Sequence, residues 1–102
     1  MIKYDRIKKD CFWDYNFTNK EIKQLAESNN KVKRSFLFQK ILLNSTSFLQ
    51  DLKIFRIDVL HNLLKNYKVP EFNKEYIFRR KNMADVYFLD KKLLIDELKW
   101  ML

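Results

Sequence analysis

The chain has 102 residues, 47% hydrophobic and 16% aromatic, so it has enough apolar side chains for a folded core, which argues against disorder. Its 21 Lys and Arg against 13 Asp and Glu give a net charge of +8, which favours nucleic acid or acidic proteins as partners. It has no glycine, which excludes the glycine-rich phosphate loops of P-loop and dinucleotide-binding proteins, and a single cysteine, which excludes an internal disulfide.

The sequence predicts neither a secretory signal nor a membrane-spanning helix. The stretch from Met1 to Asp10 is charged throughout, and no apolar run approaches the ~20 residues that a membrane-spanning helix requires. The lone thiol of Cys11 suits a reducing compartment. We therefore expect a cytoplasmic protein with no membrane partner.

Residues 1–16 are expected to form an N-terminal arm that packs on one helical domain covering residues 1–102. The arm contains the aromatic cluster Cys11-Phe12-Trp13-Asp14-Tyr15. In the simplest interpretation, Phe12 and Trp13 pin the arm to the core. In the functional alternative, Phe12, Trp13 and Asp14 form an exposed anchor for a protein partner, because Trp and Tyr are enriched at interfaces.

A first helix is predicted to begin after Thr18, which has capping-box spacing with Glu21, while Phe17 and Ile22 can form a hydrophobic staple. Because glycine is missing, asparagine is the next choice for a left-handed residue at helix ends. The predicted helix terminators are Asn29, Asn30, Asn44 and Asn66.

The segment Val32 to Leu43 is apolar on more than one face, which predicts a central helix that holds the core. Ser47 and Gln50 have the spacing of a second capping box, and the short helix after them is expected to turn Phe48, Leu52 and Phe55 inward.

Leu60, Leu63, Leu64 and Tyr67 follow the i, i+3, i+4, i+7 pattern of an amphipathic helix, and Asp58 is expected to cap it. Pro70 then predicts a boundary, because it excludes the helical conformation for Val69.

Asn73 is expected to cap a further helix, although strand-forming residues between 76 and 88 leave a short hairpin as the alternative. Asp90 to Leu102 is predicted to form a C-terminal helix with Leu94, Leu98 and Met101 on its apolar side. These elements predict an all-α fold, a compact bundle of about five or six short helices.

Residues suited to catalysis or to metal binding are scarce. His61 is the only histidine and Cys11 the only cysteine, whereas a nucleophile needs a base and a transition-metal site needs several ligands. We therefore expect a protein that is not an enzyme and that binds neither a metal nor a small-molecule cofactor.

The segment Arg79-Arg80-Lys81-Asn82 follows a periodic helix and a turn, which is the order of elements in a helix-turn-helix. Arg and Asn there would contact base edges and phosphates, with Lys74 as a further phosphate contact. In the alternative interpretation Arg80 covers apolar surface with its stem and pairs with an acid, while Arg79 and Lys81 are solvated.

Four short motifs together resemble a family of small uncharacterised prokaryotic proteins that open on a Phe-Trp-Asp motif. They are Phe12-Trp13-Asp14, the apolar residues Phe36, Phe38, Ile41 and Leu42, then Asp51-Leu52, and Lys81-Asn82-Met83-Ala84. The chain departs from the family pattern between Tyr76 and Lys81. Members look helical, and their genes often lie beside genes for nucleotidyltransferase-type toxins.

The resemblance implies a non-enzymatic interaction module, an antitoxin-like partner of a neighbouring protein such as a toxin encoded nearby. The alternative is a helix-turn-helix DNA-binding regulator that uses residues 79–82. The two functions are compatible, since an antitoxin can also bind its own operator.

Overall fold

The computed structural model describes residues 2–90, and within them six α-helices and one turn of 3₁₀ helix follow one another without a strand. The predicted all-α fold of short helices is therefore confirmed. The helix predicted from Asp90 to Leu102 lies outside the described residues, apart from Asp90. The elements are α1 (Tyr4–Cys11), α2 (Asn19–Glu27), α3 (Lys31–Asn44), α4 (Phe48–Asp51), the 3₁₀ turn (Leu52–Ile54), α5 (Ile57–Asn66) and α6 (Lys74–Leu89).

Helix α3 lies at the centre of the fold, as its apolar sequence predicts. It contacts α1, α2, α4 and α6, and its side chains at Leu37, Phe38, Ile41 and Leu42 are buried. No helix among residues 2–90 has both the length and the apolar character required to cross a membrane.

The predicted start of α2 is confirmed atom by atom. The Glu21 backbone N–H donates to Thr18 Oγ1 at 3.2 Å, and the Thr18 backbone N–H donates to Glu21 Oε1 at 3.1 Å. These reciprocal bonds satisfy two backbone donors that the first helical turn would otherwise leave without partners.

Helices α3 and α5 end at Asn44 and Asn66, as predicted, but none of the four asparagines predicted as terminators takes the left-handed conformation. Among the described residues only Asn73 and Asp90 have positive φ, at 49° and 56°. Helices α2, α3 and α5 are instead followed by extended residues, Ser28, Ser45 and Tyr67. Leaving a helix through the extended region requires no left-handed residue, so a chain without glycine can end its helices in this way.

Asn30 has the opposite role to the one predicted. Its side chain accepts hydrogen bonds from the backbone N–H groups of Val32 at 2.9 Å and Lys33 at 3.3 Å, so it caps the start of α3. Asparagine is a strong N-cap because its oxygen reaches the free donors of the first turn.

Three other predicted caps are wrong in their chemistry. Ser47 precedes α4 without a capping bond from its side chain, and its backbone N–H donates to Ser45 Oγ at 3.0 Å. Asp58 lies inside the first turn of α5, which begins after Arg56. Asn73 precedes α6 as expected, but its backbone is left-handed and its side chain makes no capping hydrogen bond.

The two sides of Pro70 follow the sequence pattern to different degrees. In α5 Leu60 and Leu64 are buried and Leu63 and Tyr67 pack against the core, as the periodicity predicts. Beyond Pro70, residues 74–89 form one continuous helix, so the alternative of a hairpin between 76 and 88 is wrong. Ala84 packs in the main core, and Ile77 is also buried.

Candidate functional site

The turn after α1 separates the three residues predicted to bind a partner. Phe12 is 2% exposed and belongs to the core, whereas Trp13 is 80% exposed and Asp14 is exposed as well. The Tyr15 backbone N–H donates to the Phe12 carbonyl at 2.9 Å, which closes the turn around Trp13. Phe12 therefore pins this segment to the core, and the predicted pinning by Trp13 is wrong.

An aromatic cluster supports the turn. The Phe12 ring lies edge-on to Phe17 at 5.2 Å and to Tyr15 at 5.6 Å, and 5.9 Å from Phe36 of α3. Tyr15 stacks on Phe17 at 5.2 Å with 13° between the ring planes. Each aromatic pair contributes about 0.5–1.5 kcal/mol of stability beyond that of its buried area, so these rings stabilise the turn that carries Trp13.

A shallow groove along α3 meets the turn at Tyr15, two residues after Trp13. Its volume is about 420 Å³, one wall is Tyr15, and α3 contributes Val32, Phe36 and Lys40. The Lys40 Nζ lies 5.2 Å from the Tyr15 ring centre and 5.8 Å from that of Phe36. Within residues 2–90 no carboxylate lines the groove. We call Trp13, Tyr15, Val32, Phe36 and Lys40 the Trp13 face.

Four residues of this region were not predicted as site residues: Tyr15, Val32, Phe36 and Lys40. A helical signal could have connected three of them, since Val32, Phe36 and Lys40 follow one another at intervals of four residues along α3. Their approach to Tyr15 is a contact between distant parts of the chain, for which the sequence carries no local signal.

The five residues predicted to contact nucleic acid lie on α6 but differ in accessibility. Asn82 is 4% exposed, and the Lys81 Nζ lies 2.8 Å from Asp85 Oδ2 with both side chains largely covered. Arg80 is half-buried, while Lys74 and Arg79 are exposed. A helix that reads base edges presents its polar side chains to the groove of DNA. Arg80, Lys81 and Asn82 are oriented instead toward contacts within the protein.

Arg80 binds the end of α3. Its guanidinium donates through Nε to the Leu42 carbonyl and through Nη2 to the Ser45 carbonyl, and the Tyr76 hydroxyl donates to the Leu43 carbonyl at 3.2 Å. Carbonyls in the last turn of a helix have no partner within that helix. Two side chains of α6 thus satisfy carbonyls at the end of α3.

The guanidinium of Arg80 also lies against two aromatic rings, 4.1 Å from the centre of Phe48 and 5.3 Å from that of Tyr76. Burial lowers the pKa of Arg80, but a guanidinium stays charged at physiological pH. The sequence predicted an acid as the partner of Arg80, whereas its partners in the structure are backbone carbonyls and aromatic rings.

A buried polar network lies beside this junction. Asp51 is fully buried, and its carboxylate accepts from the Arg6 guanidinium of α1 and from the Ser45 hydroxyl. A second bond from α1 joins Asp10 to Thr46, whose backbone N–H and hydroxyl donate to Asp10 Oδ2 at 2.9 and 2.7 Å. The N-terminal segment was predicted as an arm that packs on the core. These contacts join it to Asp51 and to the residues between α3 and α4.

Cys11 and His61, the two residues considered for catalysis, are not part of a catalytic arrangement among residues 2–90. Burial raises the pKa of the Cys11 thiol to about 12, so it is an unreactive core residue. The Nε2 of His61 is buried and has no hydrogen-bond partner among residues 2–90. In that part of the chain no three His, Cys, Asp or Glu side chains come together as a metal site.

Comparison with protein-family models, with curated proteins and with solved structures finds no match to this chain. The resemblance to the Phe-Trp-Asp proteins therefore stays a prediction, and the function has to be argued from the Trp13 face itself.

Proposed function

We propose that this protein is a non-enzymatic interaction module that binds an acidic partner protein through the Trp13 face. The observation that carries the proposal is the 80% exposure of Trp13 on a turn whose preceding residue, Phe12, is fixed in the core. An indole in water forgoes a large burial energy, of the order of 1.5–3 kcal/mol for a big apolar side chain. A partner that covers Trp13 would recover it.

The support beneath Trp13 favours binding at low entropic cost. Association normally loses free energy when interface loops become ordered. Here Phe12, Tyr15 and Phe17 already hold the turn through ring contacts between 5.2 and 5.6 Å. Trp and Tyr on such a base are the residue types that dominate binding energy at interfaces.

The charge of the groove favours an acidic partner. Lys40 is the charged residue of the groove, no carboxylate among the described residues lines it, and the whole chain carries +8. An acidic segment beside an apolar pocket would complement this face and would be attracted to it at long range.

The resemblance to the Phe-Trp-Asp proteins suggests a candidate for this partner. In the Phe-Trp-Asp proteins the neighbouring gene often encodes a nucleotidyltransferase-type toxin, so we propose an antitoxin-like role, with the product of the adjacent gene as the partner. Phe12, Trp13 and Asp14 form the motif that opens the resemblance, and they lie in the turn after α1. Of these three residues, Trp13 and Asp14 are exposed.

The test is a calorimetric titration of this protein with the purified product of the adjacent gene. Trp13→Ala is expected to weaken binding by about 2 kcal/mol or more, roughly thirtyfold, because a central aromatic anchor is removed. Phe72→Ala is the matched control, since Phe72 is also an exposed aromatic residue but lies before α6. Absence of binding, or equal affinity of wild type and Trp13→Ala, would contradict the proposal.

DNA binding is the second candidate, supported by the exposure of Lys74 and Arg79 on α6. With Arg80, Lys81 and Asn82 turned toward the protein, these two residues suit phosphates better than base edges. This function requires an affinity for duplex DNA that falls steeply with salt and falls further in Arg79→Ala. Binding that is absent or insensitive to salt would exclude it.

A further inference from the structure

A cleft between the start of α3 and the end of α5 lies apart from the Trp13 turn. Its volume is about 570 Å³, within the range of about 300–1,000 Å³ that small-molecule sites occupy. Val59 and Leu63, both partly exposed, supply apolar side chains to its lining, and Tyr67 supplies a partly exposed ring that packs on the buried Phe38 at 5.3 Å. The cleft therefore has an apolar wall suited to a flat ring.

The charged residues that line the cleft are all cationic. Lys31, Arg34 and Lys68 line it together with the amides of Asn62 and Asn66. Among residues 2–90 no carboxylate lines it. Three cations around one apolar cavity repel one another, and an anion bound among them would relieve that repulsion.

Two polar atoms of the lining residues are left without partners. The Arg34 Nε and the Tyr67 hydroxyl are both shielded from solvent and have no hydrogen-bond partner among the described residues. A buried donor without a partner destabilises the folded state, so two among the residues of one cleft favour a ligand that accepts from both. Burial also raises the pKa of Tyr67, which keeps its hydroxyl protonated as a donor.

We propose that this cleft binds a small organic anion in which a phosphate or carboxylate group is joined to a planar ring. The oxyanion accepts hydrogen bonds from the Arg34 guanidinium and the Tyr67 hydroxyl after both side chains rotate, because neither Arg34 Nε nor the Tyr67 hydroxyl is exposed in the free protein. The ring lies against Leu63 and the ring of Tyr67, and the amides of Asn62 and Asn66 bind polar atoms on its edge. This site is independent of the partner-binding role of the Trp13 face.

The direct test follows backbone amide signals by NMR while phenyl phosphate, benzoate or adenosine monophosphate is added. At least one of these is expected to bind saturably at millimolar concentration, with the shifts centred on α3 and α5. Inorganic phosphate and adenosine, which each hold only half of the ligand, are expected to bind at least about tenfold more weakly, a loss of about 1.4 kcal/mol. Phenyl phosphate against benzoate tells the two oxyanions apart.

Variants separate a binding site from structural residues. Arg34→Met keeps the stem and removes the charge, and it is expected to abolish binding, whereas Arg56→Met, at an exposed arginine before α5, leaves binding unchanged. Tyr67→Phe is expected to weaken binding while raising the thermal midpoint, because it removes a buried hydroxyl without a partner. Three results would overturn the proposal: no saturable binding of any of the three compounds, binding that survives Arg34→Met, or equal binding of inorganic phosphate alone.

Discussion

Two pairs of adjacent, chemically similar residues differ in their burial. One pair is Phe12 and Trp13 after α1, and the other is Arg79 and Arg80 in α6. Phe12 is buried and Trp13 exposed; Arg80 binds the end of α3 and Arg79 is exposed. In both places the sequence singled out a cluster as functional. The difference teaches that neighbouring residues of one chemical type can differ in role, with one member of each pair buried in contacts that stabilise the fold and the other exposed at the surface.

The largest effect is expected at the first pair. Phe12→Ala should lower the free energy of unfolding by roughly 3–5 kcal/mol, because it leaves a cavity among Phe17, Tyr15 and Phe36. Trp13→Ala should change it by no more than about 0.5 kcal/mol, as is usual for an exposed site. Urea denaturation measures both, and equal losses in the two variants would break the comparison.

A smaller effect is expected at the second pair. Arg80→Ala should cost roughly 1.5–3 kcal/mol of unfolding free energy, because charged hydrogen bonds to the Leu42 and Ser45 carbonyls disappear. Arg79→Ala, one residue earlier and exposed, is the control and should stay within about 0.5 kcal/mol. The same denaturation experiment decides, and a neutral Arg80→Ala would show that α6 does not stabilise the end of α3.

The smallest effect concerns pH, through the bond that joins α1 to the residues after α3. The Thr46 backbone N–H is the main cause that lowers the pKa of Asp10 below its usual range. Since the folded pKa is the lower one, the stabilisation is complete above the unfolded pKa of about 3.9 and is lost as the pH falls through the folded value. Asp10→Asn should therefore be less stable than wild type near neutral pH and should approach it in acid. A difference in stability that does not change with pH would refute this role of Asp10.

The parts of the fold that the sequence predicts are those with short-range causes. The Thr18 and Glu21 box, the apolar α3 and the stripe on α5 each depend on spacings within a few turns of helix. They lie where predicted because packing reinforces the local preference.

The parts that the sequence missed depend on contacts between distant residues. Arg80 reaches Leu42 across 38 positions and Arg6 reaches Asp51 across 45, so no local pattern reveals them. For the same reason the cluster Phe12, Trp13 and Asp14 could be singled out, but which member would be exposed could not. The strand-forming residues of α6 were overruled by tertiary packing, as propensity often is.

The most direct test of the proposed binding surface uses Trp13 as its own reporter. Trp100→Phe leaves Trp13 as the sole tryptophan of the chain. Its fluorescence in the free protein is expected to be that of an indole in water, and to shift to the blue and saturate as the product of the adjacent gene is added. An emission that is already blue-shifted in the free protein, or that does not respond to a partner shown to bind, would contradict the assignment of Trp13 as the anchor.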